Sequence, residues 1–259
     1  MVGVVSVRGV RIGEGKPKII VPIVEATGEE ICKKAAEFSQ LEIDVIEWRA
    51  DFYEDIFDLE KTQTLLKALR NAAVDKALLF TFRTKKEGGQ RDIDPDYYTH
   101  LNTLAAKSGC ADLIDVEIFS GDAIVSANIA NIHAANALAI ASNHDFDKTP
   151  PKEEIVARLK KMQDMGADIL KIAVMPQDAG DVLTLLTATW EMSQSASKPI
   201  VSMAMGAQGT VTRLVGEVFG SAATFGAIGK SSAPGQIPAE VLAQVLGILN
   251  AALYQKREA

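Results

Sequence analysis

The feature that most limits what this chain can fold into is an eightfold alternation of apolar segments with segments of helical periodicity. The apolar segments are short and rich in Val, Ile, Leu, Ala and Phe, which is typical of strands buried on both faces of a parallel sheet. The predicted strands are residues 18–24, 43–49, 77–83, 113–119, 137–143, 169–175, 199–205 and 222–228. This alternation predicts an α/β fold of the (β/α)₈, or TIM, barrel class, with an open doubly wound sheet as the alternative.

Residues that cap helices mark where the helical segments begin. Thr27 and Glu30 have the spacing of a capping box. Thr149 followed by Pro150 predicts an N-cap with proline at the first helical position, opening a helix over residues 153–165. The other predicted starts are at Asp58, Asp94, Asp122, Asp178, Thr210 and Pro238. Eight helices are therefore expected, one after each strand.

The N-terminal segment and the length of the chain set the domain organisation. Residues 4–13 alternate in polarity around a glycine, which predicts a short β-hairpin. The full length of 259 residues is close to that of one barrel. We predict a single domain over residues 1–259, in which the hairpin of residues 1–16 closes the bottom of the barrel.

Composition excludes several classes of function. The net charge is −7, so the general basic field of a nucleic-acid-binding protein is absent. No apolar run approaches the length needed to cross a membrane, and residues 1–16 lack the pattern of a signal peptide. Cys32 and Cys110 lie far apart, without metal-ligand spacing, and are expected to be reduced thiols. We expect a soluble cytoplasmic protein that acts on a small molecule.

Lys171 interrupts an otherwise apolar segment, residues 169–175. Burial favours the neutral form of an amine, and a neutral amine attacks carbonyl carbons to form Schiff bases. Lys171 also lies near the C-terminal end of its predicted strand, where the active sites of barrels are located. The alternative is a structural lysine whose stem packs while its ammonium group reaches water.

His144 ends the preceding strand segment and is one of only three histidines. Its usual pKa near 6.5 suits proton transfer at neutral pH, so it is a candidate general acid/base. Glu87 is a candidate for orienting the imidazole, as a carboxylate does in a catalytic triad. Taken alone, the spacing favours a loop histidine and an exposed loop carboxylate instead.

Three arginines are candidates for substrate binding. Glu47 and Arg49 alternate onto one face of their strand, and Arg83 ends the next strand. Arginines inside apolar strands need partners, so Glu47 either pairs with the other two or joins them in binding a polyhydroxylated acid. Arg213 follows Thr210 by three residues, and a cation in the first turn of a helix is unfavourable unless an anion binds there. A surface arginine pointing outward is the alternative.

At these residues the sequence resembles the type I 3-dehydroquinate dehydratase family. Each matching block is common alone, but their order and spacing together are specific to that family. The blocks are Ile46-Glu47-Trp48-Arg49, Phe80-Thr81-Phe82-Arg83, Lys86-Glu87-Gly88-Gly89, Ser142-Asn143-His144-Asp145-Phe146, Leu170-Lys171-Ile172-Ala173, Gly216-Glu217-Val218-Phe219-Gly220-Ser221 and Ser232-Ala233-Pro234-Gly235-Gln236. The resemblance implies a (β/α)₈ barrel, Schiff-base catalysis, no cofactor or metal, and a homodimer.

The resemblance also implies the role of each catalytic residue. Lys171 condenses with the C3 ketone of 3-dehydroquinate, and His144 removes a proton from C2 and helps to expel the C1 hydroxyl as water. Glu87 positions His144. The product is 3-dehydroshikimate, an intermediate of the shikimate pathway and of aromatic amino acid biosynthesis.

Six further residues are implied to bind the substrate. They are Glu47, Arg49, Arg83, Arg213, Ser232 and Gln236. By resemblance Glu47, Arg49 and Arg83 hold hydroxyl groups of the substrate. Arg213 pairs with the substrate carboxylate, and Ser232 and Gln236 belong to a loop that closes over the substrate. One departure is Pro22, which stands where some relatives have a serine that contacts the substrate, and proline has no donor for that contact.

Two other functions are consistent with the residues alone. A Schiff-base aldolase or transaldolase would bind phosphate after strands seven and eight, where residues 206–210 leave room. A non-catalytic binding barrel is less compatible with Lys171, His144 and Glu87 occurring together. Asp115 and Glu117 line up on one strand, but two carboxylates are thin evidence for a metal.

Overall fold

The computed structural model describes residues 3–254, and the apolar segments form the strands of a barrel. A short antiparallel hairpin comes first, β1 (Val5–Val7) and β2 (Val10–Ile12). The barrel strands are β3 (Lys18–Ile23), β4 (Val45–Arg49), β5 (Ala77–Thr81), β6 (Leu113–Glu117), β7 (Leu138–Asp145), β8 (Ile169–Val174), β9 (Ile200–Ala204) and β10 (Ala223–Ala227). Each lies within its predicted segment except β7, which continues two residues further, to Asp145. A final short strand, β11 (Ile237–Pro238), pairs with β10.

The eight barrel strands are parallel and neighbour one another in chain order. Strand β10 pairs with β3, and the ladder then runs without interruption to β9. The ring closes between β9 and β10 through a bridge between Ile200 and Ser221. In that bridge the N–H of Ala222 donates to the carbonyl of Ile200 at 2.6 Å. The prediction of a (β/α)₈ barrel is confirmed.

Helices cover the outside of the ring. They are α1 (Gly28–Ser39), α2 (Leu59–Ala73), α3 (Pro95–Lys107), α4 (Asp122–Ala134), α5 (Lys152–Asp164), α6 (Ala179–Ser193), α7 (Gly206–Gly209), α8 (Gly216–Phe219) and α9 (Ala239–Tyr254). Predicted caps are in place at Thr27, Asp58, Asp94 and Asp178, whose side-chain oxygens accept backbone N–H bonds. None of the helices within residues 3–254 is both long and apolar enough to cross a lipid bilayer.

Two other helices begin within one residue of the predicted position, but the predicted cap residues are wrong. Asp122 is the first residue of α4 rather than its cap, because Gly121 takes the cap position with φ 106°. Thr149 does not cap α5, which begins at Lys152 after Pro151. Pro150 and Pro151 favour extended backbone in the residues before them, so Thr149 and Pro150 remain outside the helix.

The helix predicted to begin at Thr210 is also wrong. The chain after β9 forms three short turns instead: α7, a 3₁₀ helix over Thr210–Arg213, and α8. The hydroxyl of Thr212 accepts the N–H of Ala204 at 2.9 Å, which holds this segment against β9. A Cβ on Gly209 would lie 2.3 Å from the carbonyl oxygen of Ala204, so glycine is required for this close approach.

The barrel interior changes character from bottom to top. Its lower part is apolar and includes Ile20, Val45 and Leu113. Val7 and Ile12 of the hairpin belong to the same cluster, so the hairpin closes the bottom as predicted. The carboxyl ends of the strands carry buried charged side chains instead. The upper end of the barrel is therefore where chemistry is expected.

Candidate active site

Lys171 is the third residue of β8 and points into the barrel among charged and aromatic groups. Its side chain is almost fully buried. Its Nζ lies 3.5 Å from Oδ2 of Asp115 and 4.0 Å from Oε1 of Glu47. The ring centroid of Phe225 is 4.5 Å from the same nitrogen. The amine is therefore held in the interior, and the alternative of a lysine reaching bulk water is wrong.

The surroundings of Lys171 adjust its protonation. Burial lowers the pKa of the amine, while the charges of Asp115 and Glu47 act in the opposite direction. The net pKa is below the usual value of 10.5. A larger fraction of neutral, nucleophilic amine is thus present at a given pH than for an exposed lysine.

His144 and Glu87 form a hydrogen-bonded pair. Oε2 of Glu87 lies 3.0 Å from Nδ1 of His144 and also accepts the backbone N–H of the same histidine at 3.0 Å. Oε1 accepts Nδ2 of Asn143 at 3.2 Å. These contacts fix the imidazole so that Nε2 is available to the cavity. A Cβ on Gly88, at φ 84°, would collide with the ring of Phe146, so the turn that places Glu87 here requires glycine.

Both members of this pair have altered protonation. Burial, together with the charge of Arg83, holds the pKa of His144 well below 6.5. Burial, together with the charge of Glu117, raises the pKa of Glu87 to about 8. The histidine is therefore neutral and able to accept a proton at neutral pH, but its pKa is not the value near 6.5 on which the prediction was based.

Arg49 has a partner that the sequence reasoning missed. Its Nε and Nη2 donate to the two carboxylate oxygens of Asp51 at 2.8 and 2.9 Å. Glu47, offered above as the possible partner, instead accepts the hydroxyl of Thr81 at 2.9 Å. Asp51 is two residues beyond Arg49 in a 3₁₀ helix, Ala50–Phe52, which turns its carboxylate back toward the strand end.

Arg83 is held in a buried network. Its Nη1 donates to Oε1 of Glu117 at 2.9 Å and to the hydroxyl of Ser142 at 3.0 Å. Its Nη2 lies 2.8 Å from Oδ1 of Asp115. The two carboxylates considered above as weak metal ligands are thus the partners of Arg83. Within residues 3–254, no cluster of three or more His, Cys, Asp or Glu side chains could hold a metal ion.

Arg213 is buried but lies in a different setting from the one predicted. It is the last residue of the 3₁₀ helix rather than a residue in the first turn of a capped helix. Its Nη2 donates to the carbonyl of Pro234 at 3.2 Å, and Nη1 lies 3.5 Å from the carbonyl of Phe225. No carboxylate within residues 3–254 forms an ion pair with it, and burial alone lowers its pKa to about 10. An anion entering the cavity would supply the missing charge.

The loop after β10 covers the opening of the barrel. The N–H of Ser232 donates to Oε1 of Gln236 at 2.9 Å, and Nε2 of Gln236 donates back to the hydroxyl of Ser232 at 3.0 Å. Gly235, at φ 77°, packs so closely on Gly206 that a Cβ would lie 2.3 Å from its carbonyl oxygen. The loop is in a closed arrangement.

One cavity brings together all nine predicted site residues. It is lined by Lys171, His144, Glu87, Glu47, Arg49, Arg83, Arg213, Ser232 and Gln236. The sequence did not assign the apolar side chains of the lining to the site; they are Phe146, Ala173, Met203, Met205, Phe225 and Ala233. Alternation along β9 and β10 indicates which of their residues face inward, and this was the available signal for Met203 and Phe225.

A larger groove lies outside the barrel, alongside α1 and α9. Its lining includes Lys16, Glu37, Asp44 and Gln244, and its charges are of both signs. It holds no buried lysine, histidine or arginine. The smaller cavity at the strand ends is the candidate site, because the perturbed titratable groups converge there.

Fold and cavity together define a (β/α)₈-barrel enzyme built around a buried lysine amine and a histidine–carboxylate pair. Comparison with known proteins identifies the family: the sequence pattern of type I 3-dehydroquinase matches residues 19–252. The chain belongs to this family, as its resemblance predicted.

The relatives are similar over nearly their whole length. The 3-dehydroquinate dehydratase of Listeria monocytogenes serotype 4a is 49% identical over 95% of this chain and 98% of its own. That of Bacillus subtilis is 50% identical over 95% and 97%. A crystal structure of the type I enzyme from Clostridium difficile, with covalently modified comenic acid, has a TM-score of 0.95 and 48% identity, covering 97% of this chain and all of that one.

Proposed function

We propose that the protein is a hydro-lyase that converts 3-dehydroquinate to 3-dehydroshikimate and water through a Schiff base on Lys171. The observation that carries this proposal is the shared cavity of the Lys171 amine and the His144–Glu87 pair. The relatives that bear the name 3-dehydroquinate dehydratase support the substrate. The covalent modification in the Clostridium difficile structure supports a covalent step in this family.

The first step uses the nucleophilicity of Lys171. The neutral amine attacks the C3 ketone, and the ketone oxygen leaves as water with one proton from the amine and a second proton from solvent. The nitrogen keeps its other proton and becomes positively charged as the protonated imine. The lowered pKa of Lys171 favours the neutral amine that this attack requires. The protonated imine then withdraws electrons from the adjacent C2, which makes its proton more acidic.

His144 then acts as general base and afterwards as general acid. Its imidazole is neutral in the cavity, so it can accept the C2 proton while the electron pair flows into the imine and forms an enamine. The enamine returns the electrons and expels the C1 hydroxyl, which leaves as water with the proton from the imidazolium. Water finally hydrolyses the imine and restores the lysine. Glu87 holds the ring in position through Nδ1.

Substrate binding rests on the charged groups around the amine. Arg213 pairs with the substrate carboxylate, because it is a buried cation whose present acceptors are carbonyl groups. Asp51 occupies Nε and Nη2 of Arg49, which leaves Nη1 for a substrate hydroxyl. Glu47 and Arg83 contribute at the same wall of the cavity, and Ser232 and Gln236 act from the closed loop.

Trapping the imine tests the proposal. Sodium borohydride added with 3-dehydroquinate should leave a reduced adduct on Lys171, detected by peptide mass spectrometry, and Lys171→Met should remain folded but inactive. Absorbance of the conjugated enone should appear when 3-dehydroquinate is added without borohydride. Turnover of sugar phosphates instead would establish the aldolase alternative, whereas an absence of both adduct and turnover would leave a binding barrel.

We further infer that the enzyme acts in the shikimate pathway, in the cytoplasm, and that residues 1–259 form one domain. The substrate of its relatives supports the pathway. Free Cys32 and Cys110 are consistent with a reducing compartment.

We also propose that the protein is a homodimer, as its family resemblance implies. Helices α6 and α8 pack together, and Asn250 of α9 donates to Glu217 of α8 at 2.6 Å. Exposed apolar side chains on or beside these helices are Leu183, Trp190, Val211, Val218, Ile248 and Tyr254. A second copy of the chain would cover such a face. Light scattering should show a dimer that Ile248→Asp weakens and Val4→Asp, a change on the hairpin, does not.

A further inference from the structure

Asp115 is a fully buried carboxylate that contacts the reactive nitrogen. It lies on β6 with no exposed surface, and its Oδ2 is 3.5 Å from Nζ of Lys171. Its other oxygen accepts the hydroxyl of Ser142 at 2.6 Å and lies 2.8 Å from Nη2 of Arg83. Two cations and a hydroxyl therefore fix one carboxylate beside the amine.

We propose that Asp115 is the permanent counter-ion of the Lys171 nitrogen, pairing first with the ammonium and then with the protonated imine. The second part of this inference rests on the proposed Schiff-base reaction. A positive charge on a buried nitrogen is costly unless an opposite charge lies close to it. The imine nitrogen stays within reach of the same carboxylate, because the lysine side chain carries it.

Glu47 is the other carboxylate near the amine, and its position suits a different role. Its Oε1 is 4.0 Å from Nζ and already accepts the hydroxyl of Thr81. Glu47 lines the cavity, whereas Asp115 has no exposed surface and is not among the residues that line it. A substrate can engage Glu47 but cannot displace Asp115, so the charge of Asp115 remains available at every step.

The charge balance around the amine supports this assignment. The titratable and charged groups that face or surround Lys171 are Glu47 and Arg49 from β4, Arg83 after β5, Asp115 and Glu117 from β6, His144 from β7, Glu87 from the loop after β5, and Arg213. Arg49 and Arg83 lower the pKa of the amine, and Asp115 is the strongest group that opposes them. Asp115 itself is kept ionised, since Arg83 and Lys171 outweigh the effect of burial and lower its pKa.

The proposal predicts a dual effect of removing the charge. Without Asp115 the amine loses its proton more readily, so attack on the ketone requires less alkaline conditions. The imine also loses its proton more readily, and an unprotonated imine is a poor electron sink for the elimination. Asp115→Asn should therefore still form the reducible adduct but should lower kcat by about tenfold or more.

The first experiment measures the amine directly and requires no substrate. Protein labelled with ¹³C at Cε of lysine is titrated by NMR, and Lys171→Met identifies the Lys171 signal. In Asp115→Asn the pKa of Lys171 should fall by about 1–3 units, as expected for loss of an opposite charge at this distance. An unchanged pKa would overturn the proposal.

Glu117→Gln is the matched control. It removes a carboxylate from the same strand and the same Arg83 network, but Glu117 forms no ion pair with Lys171 in the described structure. The pKa of Lys171 should shift by less in Glu117→Gln than in Asp115→Asn. An equal shift of the Lys171 pKa in both variants would mean that the effect acts through Arg83, which both carboxylates contact. That result would contradict the proposed pairing of Asp115 with Lys171.

A reciprocal experiment covers the case in which Asp115→Asn does not fold. In the wild-type protein the chemical shift of the Asp115 carboxyl carbon should change at the pH at which Lys171 titrates. Lys171→Met should abolish that change in chemical shift. Absence of the change in the wild type would refute the pairing. Borohydride trapping on the wild-type enzyme tests the Schiff base separately, so the two ideas fail in different experiments.

Discussion

Nζ of Lys230 lies 2.7 Å from Oε2 of Glu25, and this ion pair joins the loop after β10 to the end of β3. Lys230 is exposed, whereas Glu25 is mostly covered. The carbonyl of Pro234 in the same loop accepts bonds from Gly206 and Arg213. The closed loop is thus attached at both its beginning and its middle.

Breaking this ion pair should make the loop open more often. In Glu25→Gln, trypsin should cut after Lys230 faster than in the wild type, but by less than about fivefold, because exposed ion pairs contribute little. The borohydride-reduced adduct should resist cleavage in both proteins. Glu14→Gln, which removes the exposed pair with Arg11, is the control and should leave the rate at Lys230 unchanged. Equal cleavage of free enzyme and adduct would show that the loop does not close on the substrate.

Removing the imidazole should impair chemistry more than binding. His144→Ala should lower kcat by about 10²-fold or more with a smaller change in KM, and should still form the imine slowly. Because its pKa is held well below 6.5, His144 should not cause an acidic decline of kcat/KM above that pH. Near wild-type kcat in the variant would refute its role as acid and base.

Arg213→Ala should chiefly weaken binding of the substrate. A buried charge-assisted pair contributes about 1.5–3 kcal/mol, so KM should rise by about 10- to 150-fold. The comparison of a carboxylate inhibitor with its neutral amide separates this effect from a general loosening of the site. Wild-type enzyme should prefer the carboxylate and the variant should not. A preserved preference would place the anion elsewhere.

Glu87 should make the protein less stable as pH rises. Its pKa is about 8 in the folded protein and about 4.5 when exposed, so the folded state binds more protons between these values. Stability from this group is complete below pH 4.5 and is lost as pH rises through 8. Between pH 5 and 8 the wild type should lose unfolding free energy, on the order of a few kcal/mol, that Glu87→Gln does not lose.

Denaturant unfolding at the two pH values provides the measurement. Glu60→Gln, on the exposed surface of α2, is the control and should behave as the wild type. The same loss in Glu87→Gln and in the wild type would mean that another group is responsible.

Local patterns along the chain were sufficient for most of the architecture. Strands β3 to β10 were predicted because an apolar segment buried on both faces leaves a continuous signal in the sequence. The helix starts at Thr27 and Asp178 were predicted because a cap depends on residues three positions apart. The region after β9 was mispredicted, because the fit of Gly209 and Thr212 against Ala204 depends on tertiary packing.

The sequence by itself determined the barrel, the positions of its strand ends and, through the family motifs, the nine residues of the candidate site. It could not determine which charges pair. Arg49 pairs with Asp51, which is 2 residues away along the chain. Arg83 pairs with Glu117 at a separation of 34 residues, and Lys171 pairs with Asp115 at a separation of 56. Such pairing depends on how strand ends converge in space, and the same convergence supplies the burial that lowers the pKa of Lys171 and raises that of Glu87. Tertiary structure decided these points, because desolvation and Coulomb interactions act through distance in space rather than along the chain.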